Sequence, residues 1–586
     1  MASSRKKVII IGAGAAGLQC ARSLLSEHGL AAGDVLVLEA RNSVGGRMQQ
    51  SGDFAPGHLV ELGAEFVYGT ETRTNPILGS EPPMESPASG LELEEVFTWA
   101  QGRGGPSSKA CARDGGVGMY YVGLDRRLLQ FDARDEDFVR LNAALKAIGD
   151  TSGAALKAMG DTSDGRLGDL SVGQYLLASG VPLRMLPVAE AGYANNLGAG
   201  LHRLSLATMA SLQRHRVETD NGGGGVSDFR PRGSFSRLVQ LLVNPVDAAA
   251  REAREVTAQE ETAAGSLTKN KAAGAAPLEI KTSSPVRQVL WGGTTGDVRK
   301  DAPTGHGGEG RDKECHDKDC GPIRLECGPT LPQVLEADVV VVTVPLPILR
   351  DGRELCFQPP LPAAHLESAR ALEVAPAAKL LMLFKGRDGV IPDRLHGLVS
   401  SDCAVPELWF RDLEAVGDAD HGSAQGQGGL LATGFFTGTA RDEAVALGQD
   451  ALASAALDQL EEIFPSGGRV HAQFVRAELH DWGPSTPFIR CGVSSPGLTG
   501  AGDFAAHQGA LAAPLAGGRL LFAGEAYVSQ GGLQGGTVHG ALEQGHRAAR
   551  EAADFLRSLG WRPGGGAKSA EAASAVLQPP KMLARL

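Results

Sequence analysis

The hydrophobic positions follow two periods along the chain, and the clearest change from one to the other comes near the start. Val8-Ile9-Ile10-Ile11 is an apolar, β-branched run of the kind a buried strand needs. Gly12-Ala13-Gly14-Ala15-Ala16-Gly17 follows at once, and a helical pattern then runs from Leu18 to Leu25. A second apolar strand, Asp34 to Leu38, ends on Glu39, which lies 22 residues past Gly17. Strand, glycine turn, helix, strand and acid in this order form a dinucleotide-binding fingerprint. Gly12 allows the tight turn, Gly14 lets backbone approach a pyrophosphate, and Gly17 lets the helix pack on the sheet. The helix N-terminus at Ala15 and Ala16 faces the phosphate charge, and Glu39 would accept from a ribose hydroxyl.

Further along, the pattern alternates between ordered and weakly patterned stretches. Residues 70–165 are weakly patterned, with loop signals at Pro82-Pro83 and Gly102 to Pro106. Within them Ala143 to Gly153 recurs as Ala154 to Asp164, a period of eleven residues that is far too short for a solenoid repeat. Leu170 to Leu242 reads as mostly helical. Leu278-Glu279-Ile280-Lys281 and Pro285 to Trp291 alternate as strands, and Ala337 to Pro345 reads as a buried strand. Ala375 to Phe384 is an apolar strand that Lys379 interrupts near its start. Arg519 to Ala526 predicts a last strand, and Gly536 to Leu542 opens a helix that continues through Arg557. Two segments, 248–276 and 292–321, are too poor in large apolar residues for a core and read as exposed insertions.

Composition adjusts this picture modestly. At 586 residues the chain is too long for one ordinary domain. The net charge of −12 argues against a nucleic-acid partner. No apolar run reaches the length of a membrane span, and no secretory h-region precedes the first strand. The eight cysteines are scattered, and Cys315, Cys320 and Cys327 fit no common zinc spacing, so no metal is expected. The last three residues, Ala584-Arg585-Leu586, fit the small–basic–Leu pattern of a peroxisomal address. The tail from 561 to 586, with its Gly564-Gly565-Gly566 tract, would leave that address exposed.

The chemistry-bearing motifs carry a resemblance. Glu39-Ala40-Arg41-Asn42-Ser43-Val44-Gly45-Gly46-Arg47 resembles the second-glycine signature of flavin-containing amine oxidases, where it lies along FAD. An arginine at 47 suits a diphosphate neighbour. Leu62-Gly63-Ala64-Glu65-Phe66-Val67-Tyr68-Gly69 resembles the segment that passes beside the flavin in the polyamine oxidases, with Phe66 in place of the usual Trp. Arg232 to Val239, the strand at Val340, Trp482, the Phe522-Ala523-Gly524-Glu525 strand and Gly536-Thr537-Val538 match the same family.

The resemblance implies a Rossmann-type α/β FAD-binding domain, split over 1–80, 225–350 and 500–560. It also implies an α+β substrate-binding domain over 81–224 and 351–499. Noncovalent FAD would be held by residues 12, 14–17, 39–41, 45–47 and 62–65, with Val286 at the adenine and Trp482, Gly524, Glu525, Thr537 and Val538 closing the site. Lys379 would hold a water at flavin N5, although a strand-end lysine that reaches solvent is the plainer reading of the same residue. Glu65, at a position where the family shows His or Asn to the substrate, is equally well a surface glutamate. Tyr68 and Val493 would also face the substrate, a polyamine-like amine oxidised with dioxygen as partner. Val493 and Leu533 or Gln534 stand where the family places two aromatics, so that aromatic cage is expected to be missing. An L-amino-acid oxidase or a carotenoid-type desaturase is the alternative; the former needs a carboxylate clamp, for which Arg490 is the candidate.

Overall fold

The computed structural model describes residues 5–69, 93–96, 117–129, 135–149, 170–219, 227–244, 278–292, 321–328, 333–414, 428–500, 502–528 and 535–563. The first sheet has eight strands. Seven run in the order Glu279–Lys281, Val35–Leu38, Lys6–Ile11, Gln333–Val342, Ile323–Cys327, Val286–Leu290 and Cys356–Gln358, and Leu520–Phe522 pairs with Gln333–Val342. Around Lys6–Ile11 the pairing is parallel: Val8 stands opposite both Val35 and Val339. A parallel sheet has both faces covered, which is why its strands read as unbroken apolar runs. Val8, Ile9 and Ile10 are fully buried, as are Val339 to Val342.

One face of this sheet is covered by the first and last helices, Ala15–Ser26 and Val538–Ser558. They approach so closely that a Cβ on Gly545 would lie 2.2 Å from the Ala16 carbonyl oxygen. The fingerprint's strand, turn, helix and strand therefore form as the pattern predicted.

The second sheet has seven strands in the order Phe474–Trp482, Ala377–Phe384, Leu430–Thr437, Glu407–Asp412, Leu395–Ser401, Val117–Val122 and Arg127–Leu129. Helix Gln449–Ile463 packs on one face through Leu452, Ala456 and Leu460. On the helical side of this half, Asn195–Leu197 is preceded by a π-helical turn over Glu190–Ala194, a local widening often found at functional sites. The strand Cys356–Gln358, which falls within 351–499, joins the edge of the first sheet. Among the described residues no helix is long and apolar enough to cross a membrane, and no group of three or more His, Cys, Asp or Glu side chains could hold a metal ion. Residues 150–164 of the short duplication, most of both insertions, Cys315, Cys320, Leu533, Gln534 and the terminal Ala584-Arg585-Leu586 lie outside the described residues.

Candidate active site

A cavity of about 390 Å³ lies where the carboxyl ends of the first sheet meet one face of the second. Its floor is the glycine turn. Gly12 has φ +108°, and a Cβ on Gly17 would stand 2.0 Å from the Gly12 carbonyl oxygen, so the turn and the helix start interlock. Glu39 is buried beneath it. One of its carboxylate oxygens accepts from the Ala13 N–H and the other from the Arg41 N–H, each at 2.8 Å. The N-termini of both long helices open on the cavity at Gly14 to Ala16 and at Thr537-Val538. That arrangement favours anionic groups.

The two glycine segments meet directly: a Cβ on Gly46 would stand 3.2 Å from the Gly14 Cα. Gly63 must be small for a more local reason than a passing ring. A Cβ there would fall 1.7 Å from the Arg47 carbonyl oxygen, so the Leu62–Ala64 strip lies on the Arg47 backbone. Arg47 donates to Glu525 and to the Gly492 carbonyl, each at 2.9 Å. Burial pulls the Arg47 guanidinium down, but Glu525 beside it more than offsets this and holds it above its ordinary value. The other Glu525 oxygen accepts from the Gly536 N–H at 2.9 Å and from the Ser494 hydroxyl. Glu525 therefore acts here as the anchor that aims Arg47.

Above this cradle stands Lys379, third in its strand and 3% exposed, so it does not reach solvent. Its Nζ donates to Glu65 at 2.8 Å and to the Glu61 carbonyl at 3.3 Å, and sits 5.5 Å from the Trp409 ring centre. Glu65, equally buried, also pairs with Arg230 at 3.1 Å. Burial alone would raise the Glu65 carboxyl, but Lys379 and Arg230 outweigh it and hold it at about 2. The surface-glutamate alternative is therefore overturned, because Glu65 is the anion shared by two buried cations. Trp482 lines the cavity too, its indole N–H donating to the Leu62 carbonyl at 2.7 Å.

The structure brings together at this cavity residues 12, 14–16, 39–41, 45–47 and 62–65, together with Val286, Lys379, Trp482, Val493, Gly524, Glu525, Thr537 and Val538. Gly17 stands behind the turn. Tyr68 contributes its backbone to the strand Val67–Gly69, and its side chain lies outside the described residues. Arg490 is held by Asp351 and, at 2.9 Å, by Glu354.

Aromatic rings do line the cavity, though from positions other than those expected. Trp409 stacks on Phe435 with ring centres 5.2 Å apart and meets Phe66 edge-on at 4.6 Å. Tyr193 and Asn196 join them from the π-helical turn and the helix after it. Sequence reasoning missed Trp409, Phe435, Arg230 and the buried Glu407. For Glu407 and Trp409 the consecutive apolar run Leu408-Trp409-Phe410 was the available signal.

The chain that builds this cavity matches, over residues 15–553, a family model described as flavin containing amine oxidoreductase. The chain belongs to that family. Among family relatives, the human peroxisomal N(1)-acetyl-spermine/spermidine oxidase is 27% identical, with 95% of this chain and 96% of that protein covered. Solved structures of the fold include wild-type putrescine oxidase bound to putrescine, with a TM-score of 0.60, 17% identity and coverage of 94% of this chain and 99% of that one. Cyclohexylamine oxidase from Brevibacterium oxydans has a TM-score of 0.61, 18% identity and coverage of 94% and 100%. Family membership makes this chain a flavin-dependent amine oxidoreductase and places its fold among the α/β flavin amine oxidases.

Proposed function

We propose that the protein is an FAD-dependent oxidase of a polyamine-like amine, producing hydrogen peroxide and, after hydrolysis of the imine, an aldehyde and a smaller amine. The observation that carries this reading is the buried Lys379–Glu65 pair in the same cavity as the glycine cradle. The cradle suits a dinucleotide: helix N-termini for the diphosphate, Arg47 beside it, and Glu39 with lone pairs left for a ribose. Gly12, Gly14, Gly45, Gly46, Gly63 and Gly524 keep the walls narrow, and Val286 stands at the adenine end. Bound FAD would supply the hydride acceptor and pass the electrons to dioxygen.

The chain's own groups then have distinct tasks. Lys379, anchored by its bonds to Glu65 and the Glu61 carbonyl, places an ammonium donor where water and reduced oxygen species would sit. Trp409, Phe435, Phe66 and Tyr193 exclude bulk water and offer ring faces to an aliphatic amine. FAD is noncovalent in this reading, since no cysteine follows Cys491 in the sequence. We assign 1–80, 225–350 and 500–560 to the FAD domain, and Ala584-Arg585-Leu586 as a peroxisomal address that suits a peroxide producer. The amino-acid oxidase alternative gains nothing from Arg490, which is paired with Asp351 and Glu354.

The test is anaerobic mixing of purified holoprotein with a panel of polyamines, monoamines and L-amino acids. Bleaching of the flavin band by polyamines, with peroxide formed when air is admitted, is the expected result. Bleaching by amino acids alone refutes the proposal.

A further inference from the structure

Glu407 is 2% exposed, and no cation is ion-paired with it among the described residues. It accepts instead from the Trp409 indole N–H at 2.8 Å, from Asn196 Nδ2 at 2.8 Å and, weakly, from Asn195 Nδ2 at 3.5 Å. Asn195 is fully engaged in pinning its helix, since its Oδ1 accepts from the Thr437 N–H and its Nδ2 donates to the Phe435 carbonyl. Asn196 differs. Both of its amide hydrogens are taken, one by Glu407 and one by the Gly192 carbonyl at 2.7 Å. Its carbonyl Oδ1 is thereby turned away from both, and among the described residues no donor reaches it. Asn196 lines the cavity with Trp409 and Phe435. An ionised carboxylate and a carbonyl can only accept, so Glu407 and Gly192 together dictate which end of the Asn196 amide remains free.

We propose that Glu407 is a positioning residue that fixes the Asn196 carboxamide, so that Asn196 Oδ1 accepts from the second N–H group of a diamine or polyamine. This rests on the amine oxidase reading and narrows its substrate class. The register across the second sheet places the two ends of the site. His480, Lys379, Phe435, Glu407, Val399 and Tyr120 stand opposite one another on successive strands, and opposed residues share a face. Lys379 and Glu407 are thus two strand spacings apart, roughly 10 Å. The aromatic wall lies between a positive end and a negative end, and a molecule with a neutral amine at the Lys379 end and an ammonium a few carbons away at the Glu407 end is matched to that polarity.

The charge state of Glu407 is part of the device. Burial lifts its carboxyl to about 7, against the pull of the Trp409 and Asn196 donors. The titratable groups in the same row are Tyr120, Lys379 and, beyond Lys379, His480. Arg411 on the same strand is turned to the Leu59 carbonyl, Glu190 on the π-helical turn accepts from the Leu201 N–H, and His396 points to the opposite sheet face. Once protonated, Glu407 can itself donate to Oδ1, and only the Gly192 carbonyl, at 2.7 Å, still holds the orientation of Asn196.

The experiment compares 1,4-diaminobutane with butylamine on the holoenzyme from pH 6 to 8.5, reading the ratio of their kcat/KM values. In the wild type the ratio is expected to rise with pH through about 7. Asn196→Ala is expected to lower it about tenfold, the loss of one hydrogen bond to a charged donor. Glu407→Gln is expected to lower it and to remove its pH dependence, which a merely structural defect would not do. An unchanged ratio in Asn196→Ala, or a pH step kept in Glu407→Gln, overturns the inference while leaving the oxidase reading intact. If Glu407→Gln fails to fold, Asn196→Ala decides alone. If neither amine bleaches the wild-type flavin, the inference fails, and the amine oxidase reading fails with it only where the wider polyamine panel also leaves the flavin unbleached.

Discussion

Lys379→Met keeps the length and apolar stem of the side chain while removing its charge and donors. It deletes the 2.8 Å ion pair to Glu65, the 3.3 Å bond to the Glu61 carbonyl and the cation held over the Trp409 ring. Orphaning a buried charge outright costs about 3–5 kcal/mol. Here Arg230 remains on Glu65 at 3.1 Å, so one of the two cationic partners survives. The expected stability loss is therefore about 2 kcal/mol, below the full cost of an orphaned ion. Glu65→Gln is the harsher change, because Lys379 and Arg230 then lose their common anion, and about 4 kcal/mol is expected. Guanidinium unfolding of the two variants gives the ranking. The functional assay is stopped-flow, with anaerobic reduction by amine followed by mixing with oxygenated buffer. Reoxidation in Lys379→Met is expected to slow on the order of a hundredfold, the usual worth of one preorganised electrostatic group. Flavin content should hold, and reduction by amine should suffer less than reoxidation. A variant that reoxidises at the wild-type rate reduces Lys379 to a structural partner of Glu65, and the reasoning fails.

Other outcomes follow from the same geometry. Acid precipitation should release the flavin into the supernatant; flavin kept in the pellet contradicts noncovalent binding. The Glu65 carboxyl is held at about 2 rather than 4.5, so its contribution is present above pH 4.5 and lost as pH falls towards 2. Its size is about 3 kcal/mol at 1.36 kcal/mol per pH unit. Glu65→Gln should flatten that acid limb of the stability profile, and an unaltered limb counts against the ion pair. Glu525→Gln weakens the aim of Arg47 and should raise the FAD dissociation constant about tenfold, read by flavin fluorescence on reconstituting apoprotein. An equal constant in the variant removes Glu525 from the site. A reporter carrying the last ten residues should enter peroxisomes and stay cytosolic once Leu586 is deleted; diffuse signal in both rejects the address.

The cofactor cradle was legible because its parts are consecutive. Strand, glycine turn, helix and Glu39 lie within Val8 to Glu39, and local spacing alone carries their geometry. Lys379 was legible as an oddity, a charge in an apolar strand, but its burial was not. That depends on Glu65 and Arg230, which are far away in sequence and meet it only through sheet packing. Glu407 was hidden for a related reason. Alternation marks a buried face only when the other face meets solvent, and Glu407 to Phe410 are buried on both sides. The missing aromatic cage was inferred from two positions, whereas the stacked Trp409 and Phe435 come from strands whose register no local pattern reveals.

The Arg47–Glu525 pair joins residues 478 positions apart. At roughly 5–20 residues per second, a ribosome needs about half a minute to a minute and a half to make the stretch between them. The nascent glycine turn and its first helix therefore wait for that long without the anchor that aims the arginine. Flavin capture is therefore expected after synthesis, by a chain already released or nearly so. A fragment ending before Glu525 would carry the whole N-terminal fingerprint and still lack its counterpart, so cofactor supply during expression is expected to act on finished chains rather than growing ones.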